Sequence, residues 1–391
     1  MKRIVFWGLV MPAMLRRLLP RWLLEPVVTV AARHPVVALG VLGLGLAIGG
    51  GLVAASGVVP IKASSGHWPI TEWLLQFSKR RSIATHSMTI TAPPLGDPAL
   101  VLRGAGHFEL GCRPCHGAPG DALATIPQAM TPRPPALSER VPLWRPRELF
   151  YIVKHGLKFT GMPAWPAQQR DDEVWALVAF LLRLPAMDRA DYLELVTETP
   201  SESAPEIVTT TCARCHGLDG AGRGAFPKLA GQRPEYLDRA LQAYAGRRRH
   251  SGIMGPIATS LTASTRADAV RFYASQPAAP GRAVTGPRPA RGAAIATRGV
   301  PERDIPPCAE CHGPAGTPKR AAYPRLEGQY PEYLAQQLTL LQQRRRGGSE
   351  YVDLMHSFVD RLTAAQIEDV AQYYGGAAGS VTVNVAPLPA P

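Results

Sequence analysis

The segment CARCHGLDG, residues 212–220, places two cysteines three apart with a histidine directly after them. Two further copies read CRPCHGAPG from Cys112 and CAECHGPAG from Cys308, and the three together use all six cysteines of the 391-residue chain. None is left over for a disulfide. Two thiols at this spacing suit covalent attachment of a haem, each adding across a porphyrin vinyl group to form a thioether. The intervening pair lets one helical turn span the ring edge, and the next residue then aims its imidazole at the iron. The attachment sites are thus Cys112 and Cys115, Cys212 and Cys215, and Cys308 and Cys311, with His116, His216 and His312 as iron ligands. A zinc site would need a second cysteine pair close by in the same unit, and none is present. A thioredoxin-type redox pair needs neither the histidine nor three copies. Three covalent haem c groups are expected, each a large apolar core element for a domain too small to bury much surface alone.

An iron that only passes electrons needs a sixth ligand. Methionine opposite histidine raises the potential, because a thioether favours the softer ferrous state. Met162, Met254 and Met355 follow their motifs and precede the last helix of each unit, and the latter two are the only methionines of their units. Pro163 can stiffen the loop that presents Met162, whereas Met130 sits in a proline-rich loop. Core packing is the common fate of methionine and stands as the alternative. His250 and His356 lie near Met254 and Met355 and are competing ligands, otherwise surface or haem-edge residues. His107 and His155 read as ordinary side chains.

FPKLAGQRPEYLDRALQAYAGRRR (226–249) aligns with YPRLEGQYPEYLAQQLTLLQQRRR (323–346), with 12 of 24 positions identical. Cys212 pairs with Cys308, Met254 with Met355, and Ser260-Leu261-Thr262 with Arg361-Leu362-Thr363, so the second and third units are a tandem pair. The first copy is looser, and its proline-rich stretch from Pro127 to Pro146 is expected to be an extended loop. Its closing helix, DDEVWALVAFLLRLP, puts Val174, Leu177, Val178, Leu181 and Leu182 on one face. ADAVRFYASQP and TAAQIEDVAQYYGG occupy the same place in the other copies, the last with a capping box of Thr363 and Gln366. A helix is expected to lead into each motif, as in DPALVLRGAGHFELGC and RGAAIATRG, and linkers fall near Thr197–Ala204 and Pro277–Arg291. The triplets Arg247-Arg248-Arg249 and Arg344-Arg345-Arg346 read either as solvated helix ends or as partners for haem propionates or an acidic protein.

The net charge is +13, yet no aromatic-and-basic nucleic-acid motif appears, and no nucleic-acid partner is expected. Part of the charge has another use. Lys2, Arg3, Arg16, Arg17, Arg21 and Arg33 face a single acid, Glu25, before an uncharged run that reaches Lys62. From Val36 to Val59 a helix would rise about 36 Å, enough for a bilayer core of roughly 30 Å. The positive leader places the N-terminus in the cytoplasm and everything after Lys62 outside it. A cleaved signal peptide is the alternative, with Val53-Ala54-Ala55 resembling a cleavage site, but the long leader and long run favour an anchor. Gly45 and Gly49 form a weak GxxxG packing signal. HWPITEWLLQFSKRRS (67–82) reads as a helix lying at the membrane interface or, equally, packed on the first soluble domain.

Residues 205–376, with CARCHGLDG, FPKLAGQRPEYL, CAECHGPAG and YPRLEGQYPEYL, resemble the tandem dihaem periplasmic cytochromes c of the c-four type. The first domain, with CRPCHG and KFTGMPAWP, is similar to single-domain class I cytochromes c. The resemblance implies two class I domains packed face to face and electron delivery to terminal oxidases. A third haem domain and a membrane helix are departures from the c-four plan. The expected fold is all-α, with three small class I cytochrome c domains on an N-terminal transmembrane helix. The layout is a cytoplasmic basic N-terminus (1–35), an anchor (36–59), a juxtamembrane segment (60–98) and domains at 99–197, 198–282 and 283–391. The expected role is that of an electron carrier without catalysis of its own, on the periplasmic face of a bacterial inner membrane. It would relay single electrons from a quinol–cytochrome c reductase toward a haem–copper terminal oxidase. The alternative is the haem subunit of a membrane-bound dehydrogenase. A haem enzyme such as a peroxidase would need one vacant iron position, against which the three methionines argue.

Overall fold

In the computed structural model, helix α1 spans Pro35–Ala55 and buries none of its residues. It is long and apolar enough to cross a membrane. The helix stops four residues short of the apolar run because Ser56 turns its hydroxyl back on the Val53 carbonyl at 2.7 Å and Gly57 takes φ +67°. The structure describes residues 33–59, 61–197, 203–278, 281, 286–313 and 320–376. The chain divides into two compact units at Gly66.

The second unit is helical, and among the described residues its only β pairing is an isolated bridge between Val300 and Ile305. Helix α2 (Pro69–His86) precedes α3 (Pro98–Gly111), which Asp97 caps through the Ala99 amide and which leads into the first motif. Helices α4 (Pro146–His155), α5 (Asp171–Leu181) and α6 (Arg189–Val196) complete this domain. Its core gathers Phe108, Leu149, Phe150, Val174, Leu177, Val178, Leu181 and Tyr192. Four of the five expected α5 positions are buried, while Leu182 caps the helix and is half-exposed. The stretch Pro127–Pro146 is not the extended loop its prolines suggest. Short helical turns at Thr125–Gln128, Leu137–Arg140 and Val141–Leu143 run through it. Pro142 and Pro146 fall in first turns, where a missing N–H costs nothing.

The second domain contains α7 (Pro234–Ala245), α8 (Met254–Ser260) and α9 (Ala263–Ser275) around Val208, Leu237, Val270 and Tyr273. The helix leading into its motif is short among the described residues, running from Glu206 through a π-type turn at Val208–Cys212 straight into the motif turn. The third domain has α10 (Pro287–Arg298), α11 (Pro331–Gln342), α12 (Val352–Val359) and α13 (Ala364–Gly375). The core is built on Ile295, Leu334, Leu341, Ile367, Val370 and Tyr374. Thr363 and Gln366 form the expected capping box of α13. Helices α10 and α13 cross so closely that a Cβ on Gly292 would lie 2.0 Å from the Asp369 carbonyl oxygen, and Gly104 meets the Ala176 carbonyl in the same way where α3 crosses α5.

Candidate functional site

Each motif folds as a one-turn helix, at Arg113–His116, Ala213–His216 and Ala309–His312, followed by a glycine at positive φ. One local device recurs in all three. The imidazole Nδ1 of His116 bonds the Pro135 carbonyl at 2.9 Å, that of His216 the Pro227 carbonyl at 2.9 Å, and that of His312 the Pro324 carbonyl at 3.1 Å. Donation from Nδ1–H to a carbonyl fixes the tautomer and leaves Nε2 as a lone-pair donor. Burial holds all three imidazoles below their usual pKa and so favours the neutral, ligating form. Pro227 and Pro324 align in the tandem repeat, so the signal was in the sequence. Pro135 was hidden among neighbouring prolines.

Two further observations bear on whether these sites fit a haem. Burial pushes the Cys112 and Cys212 thiols up to about 12 and the Cys215 and Cys308 thiols up to about 11. Such sites disfavour thiolate–metal bonding but accept a neutral thioether. Arg249 is buried among Tyr236, Tyr333 and Gln337, its Nη2 3.0 Å from the Tyr333 hydroxyl, and its Nε has no hydrogen-bond partner. The repeat-equivalent Arg346 likewise has a buried Nε without a partner. Two guanidinium groups sharing a buried tyrosine cluster call for an anion, which haem propionates supply. The three cysteine pairs therefore fit three covalently bound haem c groups. When bound, each supplies a one-electron ferric–ferrous couple.

The arginine triplets divide their work and are not simple solvated helix ends. Arg247 and Arg344 adopt φ of +55° and +56° where α7 and α11 end. Arg344 pairs with Asp360, and Arg345 pairs with Asp171 of the first domain at 3.3 Å. Met162, Met254 and Met355 are each partly buried. Met162 lies in a loop closed by the Leu157 amide on its carbonyl at 3.2 Å, with Met130 packed against the adjacent Gly161. Met254 opens α8 with its amide on Ser251 Oγ at 3.0 Å, and Met355 lies within α12. The His356 ring is engaged by the Arg346 carbonyl at 3.1 Å and by Asp353, whereas His155 packs against Tyr151 at a tilt of 52°. His107 is buried against Trp165 and depressed by that burial to about 3, so it is neutral.

Two interdomain arrangements were not read from the sequence. Glu173, 5% exposed, accepts from Trp165 Nε1 at 3.0 Å and from the Gly252 amide at 2.6 Å, with Arg170 at 3.1 Å. Trp165 follows Met162 and Gly252 precedes Met254, so one carboxylate ties together the methionine loops of the first and second domains. A Cβ on Gly252 would sit 2.3 Å from Trp165 Nε1, which is why glycine stands there. Burial pushes the Glu173 carboxyl above its usual range against the pull of Arg170. Between the second and third domains, Gln232 accepts from the Arg325 amide at 2.8 Å and donates to the Arg325 carbonyl at 2.9 Å. Gln329 does the same with Lys228, at 3.0 Å and 3.1 Å. These pairs exchange under the repeat offset, so the interface is isologous, with the same patch used on both sides.

Three such motifs in one helical chain define a multihaem c-type cytochrome. A family model for cytochrome c oxidase, cbb3-type, subunit III matches residues 99–181, and one for cytochrome c matches residues 201–275. The chain is 35% identical over 207 residues to a thiosulfate dehydrogenase electron acceptor of Stutzerimonas stutzeri, which spans 51% of this chain and 93% of that one. It is 36% identical over 171 residues to cytochrome c4 of Thiocapsa roseopersicina, covering 42% of this chain and 86% of the relative. A solved cytochrome c4 from Acidithiobacillus ferrooxidans aligns over 42% of this chain and 97% of its own at 32% identity, with a TM-score of 0.38. The chain belongs to the c-type cytochromes and joins cytochrome c4-like domains to a further haem domain. The relatives are named as cytochromes c4 or electron acceptors, which supports electron transfer by a c-type cytochrome.

Proposed function

We propose that this protein is a membrane-anchored trihaem cytochrome of the periplasmic face that relays single electrons from a quinol-oxidising complex toward a haem–copper terminal oxidase. The observation that carries the reading is the threefold recurrence of a motif histidine tethered through Nδ1 to a proline carbonyl, in a chain that also contains the apolar helix α1. In this reading residues 1–35 stay in the cytoplasm and α1 spans the inner membrane once. Haem domains occupy 99–197, 198–282 and 283–391. Cys112, Cys115, Cys212, Cys215, Cys308 and Cys311 carry the haems. His116 with Met162, His216 with Met254, and His312 with Met355 are the axial pairs. These residues would hold the haem irons, and the chain's own part would be to fix their geometry, exclude water and keep the cost of a changing iron charge low.

A second reading has the chain as electron outlet of a membrane-bound dehydrogenase, favoured by the relatives named for accepting electrons from thiosulfate dehydrogenase. Native membranes extracted in mild detergent, run on a native gel stained for haem and analysed by mass spectrometry, separate the two. Co-migrating reductase or oxidase subunits support the respiratory relay. A thiosulfate-oxidising or other dehydrogenase in the haem band replaces it with the second reading.

A further inference from the structure

Helix α2 carries two different stripes. Gln76, Lys79, Ile83 and Ser87 turn inward, with Ile83 and Ser87 buried against the first domain and His86 stacked on Tyr151 of α4. The other stripe runs Ile70, Trp73, Leu74, Phe77, Arg81, Thr85, at helical spacing. The apolar members of this stripe, with Trp68 at the N-cap, are between 52% and 69% exposed, and Trp73 stacks on Phe77 with centroids 5.7 Å apart. So large an aromatic patch in water is unfavourable unless something covers it. Tryptophan and phenylalanine beside lysine and arginine is the composition of a helix lying in a lipid headgroup layer.

The exposed stripe leads directly into a cavity of about 530 Å³ lined by Arg81, Thr85, Met88, Trp144, Arg145 and Arg147. Its one carboxylate, Glu148, is engaged by the Arg145 amide at 2.8 Å at the start of α4. Arg147 Nε is buried and has no hydrogen-bond partner. On α4, Leu149, Phe150 and Val153 face the domain core, whereas Arg147 lies one turn before Tyr151, on the side that meets α2. Arg80 and Arg140 place further positive charge around Lys79. An arginine cluster with one buried unfilled donor, Arg147 Nε, next to an apolar face, matches a phosphate carried on acyl chains. The chain length agrees, because residues 56–66 can extend at most roughly 40 Å from the end of α1.

We propose that α2 lies in the outer surface layer of the bilayer, with Trp68, Trp73 and Phe77 among the lipid chains, and that the cavity of Arg81, Arg145 and Arg147 binds the phosphate of an anionic phospholipid. This rests on the membrane placement proposed above. It fixes how the first domain faces the membrane, which a single spanning helix with an eleven-residue tether does not.

The full-length haem-loaded protein, purified in a non-ionic detergent, is titrated with phosphatidylglycerol, phosphatidylcholine or inorganic phosphate and examined by native mass spectrometry. Wild type is expected to retain one phosphatidylglycerol that an Arg81→Gln/Arg147→Gln variant binds about thirtyfold more weakly, at roughly fivefold for each basic group. Phosphatidylcholine and inorganic phosphate should bind neither form. Haem content and visible spectrum verify that the variant folds. In parallel, hydrogen exchange of residues 67–78 is compared between detergent and phosphatidylglycerol-containing nanodiscs, with protection expected in the nanodiscs. Equal retention by both forms, or free phosphate binding as well as the lipid, overturns the lipid site. Incorporation into nanodiscs without protection of 67–78 overturns the surface placement while leaving the anchor standing, and so does protection that appears only in native membranes, which assigns the face to a protein partner. Failure to incorporate at all sinks the anchor and this inference together.

Discussion

Replacing Gln232 by leucine should loosen the third domain at Arg325, a residue ninety-three positions away, before it affects the second domain's own core. Gln232 is 8% exposed and holds both the amide and the carbonyl of Arg325. Leucine keeps most of the volume and removes both bonds to Arg325, together with the one that Gln232 Oε1 accepts from the neighbouring Arg233 amide at 3.0 Å. At ~1 kcal/mol net for each hydrogen bond, the interface loses about 2 kcal/mol, and exchange of the Arg325 amide should speed up by about thirtyfold. The amide of Gly231, bonded to the Tyr273 carbonyl at 3.1 Å inside the second domain, should keep its protection. Gln329→Leu should produce the mirror effect at Lys228, whose amide it accepts at 3.0 Å. Because the two latches share one interface, the double variant should not lose the plain sum of the two. Amide exchange read by mass spectrometry on the haem-loaded protein is the assay. Unchanged exchange at Arg325, or a rise confined to the second domain, would show that the reciprocal glutamines do not hold the pair together.

Four further outcomes are expected. Met162→Ala, Met254→Ala or Met355→Ala should each lower one of three potentials in a redox titration and let carbon monoxide bind one reduced haem; a variant with all three potentials intact has the wrong residue. His107 is depressed to about 3 by burial, so the unfolded chain takes up a proton first as pH falls through about 6.5. Stability attached to His107 is complete above that pH and declines below it, so wild type should lose about 2 kcal/mol more than His107→Phe between pH 7.5 and 5 in thermal melts. Gly292→Ala must push a Cβ into the Asp369 carbonyl and should cost about 3 kcal/mol, seen as reduced haem content in the third domain. Glu173→Ala leaves Trp165, Gly252 and Arg170 without their shared carboxylate and should cost about 3–5 kcal/mol, measured by denaturant unfolding.

Covalent chemistry was the most legible level, because three cysteine pairs each followed by histidine leave few alternatives at any fold. Helix positions were legible wherever period and cap agreed, as at Val174–Leu181 and at Thr363 with Gln366. The stretch 127–146 misled because proline was taken as a breaker, although at a first helical turn it is tolerated. The shortness and π-type winding of the helix before the second motif were obscured by assuming that each copy repeats the others. Glu173 gave little local sign, since beyond Arg170 its partners lie on another loop and in another domain. Gln232 and Gln329 were visible as repeated letters, but a repeat does not say which face its residues turn to each other.

The shortness of the helix that leads into the second motif has a consequence for assembly. Beside it α3 of the first domain leans on the second motif, with Glu109 reaching Arg214 at 3.3 Å. A Cβ on Gly106 would lie only 3.1 Å from Cys215 Sγ. Once the two domains have closed, that sulfur is covered. A haem bound covalently at Cys215 would therefore have to be attached before the first domain closes over it, and docking of that domain would then act as a seal.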